Sequence, residues 1–400
     1  MENGKWNMEN EKIAATLIFS FQFSVFTFQF SIIIMKYLGN FVALLILAVN
    51  ALFTGLLLFT AYSPHIQPVT HPAQSCLGLT FPVFLMINIG FFIFWLVIQR
   101  YKTALLPLIG LLLCYSQTRT YLPINFHTNK LPETSFKILS YNIMGFDGAI
   151  KQNGKNPILT YLKESNADIL CLQEYSTTES SRHLSQKDVE QELKAYPYHR
   201  INTVGREKGH TNKIACYSKY PILSARVLDY SSEYNGSVLY EVKIGEDTVT
   251  LINNHLESNK LTKADKAVYE NMLKSPEKEK VKSGMRLLIR KLAEASAIRA
   301  PQADTIAHEI TASPHPCIIV CGDFNDTPIS YTHRTIAQNL DDAFTTSGRG
   351  LGISYNQNRF YFRIDNILTS KNLKAYNCTV DRSIKDSDHY PIWCYITKKN

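Results

Sequence analysis

Between Tyr37 and Ile98 the 400-residue chain carries no Asp, Glu, Lys or Arg, and nothing else in it restricts the possible folds as strongly. A domain with its surface in water needs charged residues, so an uncharged stretch of this length excludes an ordinary soluble globular protein. Within it, Tyr37–Tyr62 and Leu77–Ile98 are each long enough, at about 1.5 Å per residue, to cross a hydrocarbon layer of ~30 Å. Residues 103–118 are apolar but shorter and contain Pro107. They read as a thin third span, with Lys102 and Arg119 reaching to the interfaces, or else as a re-entrant segment. Residues 35–118 are thus expected to be a membrane anchor of two or three helices.

Positive charge beside the spans sets orientation, because Lys and Arg are retained on the cytoplasmic side. Lys36 precedes the first span and Arg100 and Lys102 follow the second, while the connection Ser63–Cys76 has neither residue type. That connection is therefore expected outside. Three spans would put everything after residue 118 on the non-cytoplasmic face, and two would keep it in the cytoplasm. The first 34 residues are unusual: FQFSVFT at Phe21–Thr27 nearly repeats as FQFSIII, and MEN occurs at Met1 and again at Met8. They read as a doubtful extension, with translation starting at Met35, or as a further apolar segment.

Beyond a linker at 119–130 the texture changes to short apolar runs alternating with amphipathic stretches, as in an α/β or α+β domain covering 131–400. Strands are expected at Phe136–Asn142, Asp168–Leu172, Lys213–Ser218, Val238–Ile244, Thr248–Asn253, Cys317–Cys321, Arg363–Thr369 and Ile392–Ile396. Helices are expected at Asn156–Ser165, Asp188–Lys194, Lys263–Leu273, Gly284–Ile310 and Tyr331–Ala337. The turn signals Asn235–Gly236 and Gly245–Asp247 predict a hairpin meander between the middle strands.

The carboxylates and histidines stand at the ends of these strands. Asn142 ends SYN, Glu174 ends CLQE, His255 ends INNH, and Asp323 and Asn325 follow CIIVC directly. Asp365 lies inside the apolar run RIDNIL, and Asp388–His389 precede the last strand. A buried carboxylate such as Asp365 demands a cation, a metal or a histidine. Oxygen donors from Glu174, Asn142, Asn325, Asp323 and Asp388 suit Mg²⁺ or Mn²⁺, and the two histidines suit proton transfer at a phosphoester. The chain has no zinc-type His/Cys array, Walker loop or Gly-x-Ser-x-Gly elbow.

With LQE, GDFN, Asp365 and SDHYPI in this order, the region Phe136–Thr397 resembles the endonuclease/exonuclease/phosphatase superfamily, which includes deoxyribonuclease I, exonuclease III, neutral sphingomyelinases and inositol polyphosphate 5-phosphatases. The resemblance implies a four-layer sandwich, two packed mixed β-sheets flanked by helices. It also implies a divalent-metal-dependent hydrolase. Glu174 would be the principal metal ligand, with Asn142 at the metal or phosphate and Asp388 assisting. His255 would lie against the phosphate, Asn325 would hold it, Asp323 would orient or deprotonate water, and Asp365 would pair with His389. Whether Asp323 or His389 is the base stays open. Met144 stands where some nucleases of the family carry an Asp, which puts a second metal in doubt. Arg299 and Gln302 fall where family members often carry an Arg and a Gln, and are expected to brace the rim from behind; Arg299 shares a helical stripe with Leu288, Leu292, Ala295, Ala303, Ile306 and Ile310, and Pro301 is expected to kink the helix.

The expected activity is endonuclease-like phosphodiester hydrolysis, with a lipid or small-molecule phosphoesterase, or a tethered binding module without chemistry, as alternatives. The expected partners are a phosphate ester, in nucleic acid or a lipid head group, and the bilayer; no protein partner is inferred. A net charge of +8 permits such anionic partners without selecting one. His199–Arg206, with Lys208 and Lys213, is the candidate DNA-contacting loop. The cysteines in strand runs, Cys171, Cys317, Cys321 and Cys394, read as small core residues, and an extracytoplasmic disulfide is left open.

Overall fold

Strand-length apolar runs joined by helices leave each sheet with two apolar faces to cover, and the chain covers them by packing sheet on sheet and helix on sheet. The computed structural model describes residues 2–148, 155–179, 183–205, 212–274, 277–355, 357 and 360–399. Two units result: residues 1–56 with 86–111, and residues 57–85 with 112–400.

The first unit is helical. Glu2–Tyr62 is one continuous helix, running unbroken through Met35, and most of Phe81–Val97 and Tyr101–Leu113 complete the unit. Polar side chains between its helices are hydrogen-bonded: Trp95 Nε1 donates to Asn50 Oδ1 (3.0 Å), Thr54 Oγ1 to Asn88 Oδ1 (2.7 Å), and Asn88 Nδ2 to the Phe53 carbonyl (3.0 Å). In apolar surroundings such bonds hold helices together where hydrophobic burial cannot. Ser24–His65 and Pro72–Val97 are long and apolar enough to cross a membrane, and Tyr101–Leu113 is shorter.

The second unit contains β1 (Phe136–Asn142), β2 (Ile169–Gln173), β3 (Tyr198–Val204), β4 (Asn212–Ser218), β5 (Ile222–Val227), β6 (Gly236–Ile244), β7 (Asp247–His255), β8 (Cys317–Asp323), β9 (Leu340–Asp342), β10 (Asp365–Ser370), β11 (Leu373–Val380) and β12 (Ile392–Lys398). Among the described residues these form two six-stranded mixed sheets, β11-β12-β1-β2-β4-β3 and β5-β6-β7-β8-β10-β9. Each sheet has a parallel pair near its centre, β1 with β2 and β7 with β8, and is otherwise antiparallel. The core between the sheets is built from alternate residues of both, including Ile138, Cys171, Cys216, Tyr240, Leu251 and Ile319. On one outer face Ile158, Leu162 and Val189 pack onto β1 and β2, and on the other Ala303, Ile306 and Ile310 pack onto β7 and β8. This is the four-layer sandwich expected. The expected hairpin of β6 and β7 is present, turning at Gly245 with φ +58°, and β5, which was not expected, pairs with β6. All eight cysteines are free in this structure.

One expectation is corrected. His199–Arg206 is not a loop: Tyr198–Val204 is the edge strand β3 and Lys213 lies on β4, while Arg206 and Lys208 are outside the described residues. Within residues 119–130, Asn125 Nδ2 donates to the Thr345 and Gly348 carbonyls (3.1 and 2.7 Å) and the Thr128 amide donates to Asn377 Oδ1 (2.8 Å). The helix Lys278–Ala312 carries Pro301 in its interior. Residues 57–85, the connection Ser63–Cys76 included, group with residues 112–400 in the second unit.

Buried Arg363 ties this unit together. Its Nη1 donates to both Asp342 carboxylate oxygens (3.2 and 2.9 Å), its Nη2 to the Thr120 carbonyl (2.8 Å), and its guanidinium lies 4.9 Å from the Phe344 ring centre. Burial alone would raise the Asp342 carboxyl, but Arg363 and His333 hold it well below the usual carboxylate range. The stability this brings is present above that range and is lost as pH falls through it. Removing one partner of a buried pair strands the other charge, so Arg363→Ala is expected to cost about 3–5 kcal/mol in denaturant unfolding; a change below ~1 kcal/mol would contradict this account.

Candidate active site

Side chains of a strand alternate between faces, and that alternation assembles the site. On β8, Cys317, Ile319 and Cys321 point into the core between the sheets, so Asp323 falls on the same side at the strand's end. The same parity carries Ile138 to Ser140 and Asn142 on β1, Cys171 to Gln173 on β2, Leu251 to Asn253 and His255 on β7, and Ile367 to Asp365 on β10. His255 pairs in register with Asp323, and Asp323 with Asp365, which sets three titratable residues side by side across three strands.

Backbone conformation completes the arrangement. Gly322 has φ +124°, and a Cβ there would overlap the Asn254 carbonyl oxygen of β7, so only glycine can precede Asp323 in this close pairing. Glu174 and Asn325, both non-glycine, also sit at positive φ (+52° each), a conformation that costs of order 1–3 kcal/mol and that concentrates at functional sites. At Glu174 it ends β2 and brings the carboxylate back towards Asn142, whose Nδ2 donates to Glu174 Oε1 (2.9 Å) and to Asp323 Oδ2 (3.2 Å).

Buried Asp323 is the hub. His255 Nε2 lies 3.7 Å and His389 Nε2 3.6 Å from Asp323 Oδ2, and His255 Nε2 is 3.6 Å from Glu174 Oε1. The Asn325 amide donates to Asp323 Oδ1 (2.8 Å), and Asn325 Nδ2 to the Leu256 carbonyl (2.9 Å). His389 Nδ1 bonds Asp365 Oδ2 at 2.8 Å, while Asp365 Oδ1 is buried and has no partner among the described residues. Burial would lower the His389 imidazole, but Asp365 and Asp323 hold it well above its ordinary value. Burial pushes the Asp323 carboxyl up to about 6, Asp365 adds to the rise, and the two histidines oppose it.

Arg299 and Gln302 sit behind this set. Arg299 Nη1 donates to the Glu257 carbonyl (2.8 Å) and Asn259 Oδ1 (3.0 Å), and the Glu257 amide donates to Gln302 Oε1 (2.9 Å), which fastens the segment after His255. Asn259 Nδ2 in turn donates to the Asn325 carbonyl (3.2 Å). Asp388 lines the same pocket as Glu174, Asp323 and His389.

Several residues were missed from the sequence. Gln173 Nε2 donates to Asn253 Oδ1 (2.6 Å) and Ser140 Oγ (3.2 Å), forming a buried polar floor between the sheets beneath the site. Asn212 Nδ2 lies 3.2 Å from His255 Nδ1, Ser387 Oγ donates to the Asn142 carbonyl (2.7 Å), and Ser354 Oγ accepts from the Asp365 amide (3.1 Å). The two-residue period would have found Gln173 and Asn253, since each shares a face with a site position; Ser354 and Ser387 carry no local signal.

The donor set fits a hard divalent cation. Glu174 and Asp388 present oxygens to one pocket, where Glu174 keeps 38% of its side chain exposed, and Asn142 stands beside them through its bond to Glu174 Oε1. Ligand atoms of Asp323, Asp365 and His389 also lie within 4.8 Å of one another, but Asp365 and His389 are already committed to their mutual bond, so this triplet is the weaker candidate.

The sequence profile of the Endonuclease/Exonuclease/phosphatase family matches residues 139–389. The chain belongs to this family. Residues 43–121 match a domain of unknown function, and no curated protein matches the chain. Among solved structures it is similar to an endonuclease/exonuclease/phosphatase from Beutenbergia cavernae (13% identity, 66% of this chain and 72% of that one, TM-score 0.48). It is also similar to D. rerio TDP2 complexed with single strand DNA product (17%, 66% and 100%, TM-score 0.46). A third is the human Nocturnin catalytic domain with bound sulfate anion (14%, 69% and 97%, TM-score 0.46).

Members of the family are phosphoester hydrolases, so the Asp365–His389 pair has a testable consequence. Asp365→Asn keeps the shape and removes the charge, and is expected to lower kcat by about 10³-fold or more with the circular dichroism spectrum unchanged. A loss of less than tenfold would show that the pair is structural only.

Proposed function

We propose that this chain is a membrane-anchored, divalent-metal-dependent phosphoester hydrolase. The observation that carries the reading is the Asp323 carboxylate flanked at 3.6–3.7 Å by His389 and His255, with Glu174 and Asn142 beside it. A cation held by Glu174, Asn142 and Asp388, Mg²⁺ or Mn²⁺, would offset the charge that develops on the phosphoryl oxygens. Asp323 orients the attacking water and accepts its proton as the new P–O bond forms. His389, kept cationic by Asp365, faces the phosphoryl oxygens, and Asn325 holds them in place. His255, oriented by Asn212, gives a proton to the departing oxygen as the second P–O bond breaks. One water and one ester become one acid and one alcohol, and the residues return to their starting state after one proton passes from Asp323 back to His255. Arg299 and Gln302 act by position, keeping the 257–259 segment against Asn325.

The anchor reading rests on exposure: Leu44, Leu52, Val83, Met86 and Leu112 each expose 57–65% of their surface, which is unfavourable in water and ordinary in lipid. Parity supports a topology. The connection after the first span is packed into the same unit as the domain that follows residues 101–113, and this supports a three-pass reading in which both stand on one side of the bilayer. The lack of Lys and Arg in that connection favours the non-cytoplasmic face.

Two measurements test this. Full-length protein given phosphodiester substrates is expected to hydrolyse with Mg²⁺ and to stop with chelator, and Glu174→Ala to lower kcat/KM by ~10³-fold without unfolding; hydrolysis that survives chelation would overturn the metal assignment. Glu277→Cys, at a position with a 64% exposed side chain, is expected to react with an impermeant thiol reagent added outside intact cells; protection until the membrane is broken would reverse the topology.

A further inference from the structure

Beside the catalytic residues the pocket has a second wall that the hydrolysis reading does not use. The cavity, about 250 Å³, is bounded on that side by Cys76, Leu79, Leu261, Leu292, Ile329 and Phe360. Two of these, Cys76 and Leu79, come from the segment between the first two apolar helices. That segment is fixed in place: Ser75 Oγ lies 3.3 Å from Ser296 Oγ on the long helix that also carries Arg299, and a Cβ on Gly78 would overlap the Ile329 carbonyl oxygen. Cys76 adds a small, largely apolar thiol to this wall.

Charge narrows the occupant. Among the described residues lining the pocket, the Lys and Arg side chains are Lys260 and Arg299, and both are engaged. Lys260 Nζ is 3.0 Å from Glu257 Oε1, and Arg299 Nε is 3.4 Å from Asp326 Oδ2. A nucleic-acid backbone is held by cations free to replace its counterions, and here these two are neutralised internally. The Phe360 ring is stacked on Tyr269 at 4.2 Å, so one of its faces is already covered where a base would stack. Leu79 stands two residues before Phe81, where the apolar helix Phe81–Val97 begins, so about 7 Å of chain at most separates the wall from that helix. The helices bordering the pocket expose Val268, Met285, Ile289 and Ile298 beside Lys282 and Arg286, the mixture suited to an anionic lipid surface.

Resting on the hydrolase reading above, we infer that the substrate is a membrane lipid phosphoester, whose apolar chain lies on the Cys76–Leu79 wall while its phosphoryl group sits between His255, Asp323 and His389. The anchor's first connection is then part of the binding site and selects substrate.

The test uses the full chain in lipid nanodiscs with Mg²⁺ and a series of alkyl 4-nitrophenyl phosphates, methyl, butyl and octyl, each below its micelle concentration, with a single-stranded oligonucleotide as the competing class. The octyl ester is expected to exceed the methyl ester at least tenfold in kcat/KM and to exceed the oligonucleotide. In Leu79→Ser, and separately in Leu292→Ser, that octyl-to-methyl ratio is expected to fall at least threefold. The ratio is internal to each variant, so partial misfolding does not mimic the result. Hydrolysis with no chain-length preference, a preference that both variants leave unchanged, or an oligonucleotide cleaved better than the octyl ester would overturn the lipid assignment and leave the hydrolase standing. Absence of Mg²⁺-dependent hydrolysis across the whole set would overturn both.

Discussion

Asp323 is a carboxylate 1% exposed at the end of a strand, and the rest of the site is arranged around the need to keep it there. An isolated carboxylate at that depth is untenable, so each neighbour supplies a hydrogen bond or a positive field: the Asn325 amide, the Asn142 side chain, and an imidazole on either side. The second buried carboxylate, Asp365, is compensated by His389 in the same way. Because His389 faces both acids, its charge is shared between them, and removing either acid alters the field at the other. The protonation states needed for chemistry are thus set by burial and pairing before any substrate arrives.

The fold delivers these groups by a simple rule. Parallel pairs at the centre of each sheet, β1 with β2 and β7 with β8, end at the same edge, and strict alternation sends their last inward residues into one cleft. Gln173, Asn253 and Ser140 close the cleft below with hydrogen bonds that join the two sheets, so the floor of the site is also part of what fixes the sheets together. Strained residues then correct what alternation cannot provide. Gln173 and Glu174 are consecutive and would face opposite ways in a regular strand, and the left-handed backbone at Glu174 lets both serve the cleft.

Much of this was legible in the chain. Asn142, Glu174, His255, Asp323, Asp365 and His389 each flank a continuous apolar run, and the buried central strands betray themselves by such runs. The edge strands β3, β5, β9 and β11 were not read, because a strand with one side in solvent mixes polar and apolar residues without a dominant pattern; in β3 only Val204 is fully buried. That ambiguity turned β3 into an apparent basic loop. Arg299 was legible because an arginine on an apolar helical stripe demands a partner, whereas its partners, the Glu257 carbonyl and Asn259, were not. The place of the Ser63–Thr80 segment was hidden altogether. Ser75 meets Ser296 across 221 positions of chain, and nothing local in an uncharged connection indicates that it closes a pocket.

The proposed chemistry calls for a divalent cation held by Glu174 beside the Asp323–His255–His389 set. Anomalous diffraction from crystals of the full chain soaked in Mn²⁺ examines this most directly. The account predicts a manganese peak in the pocket at about 2.1 Å from a Glu174 carboxylate oxygen, with Asn142 and Asp388 turned towards it. A pocket without manganese at Glu174, or manganese bound only elsewhere on the protein, would contradict it.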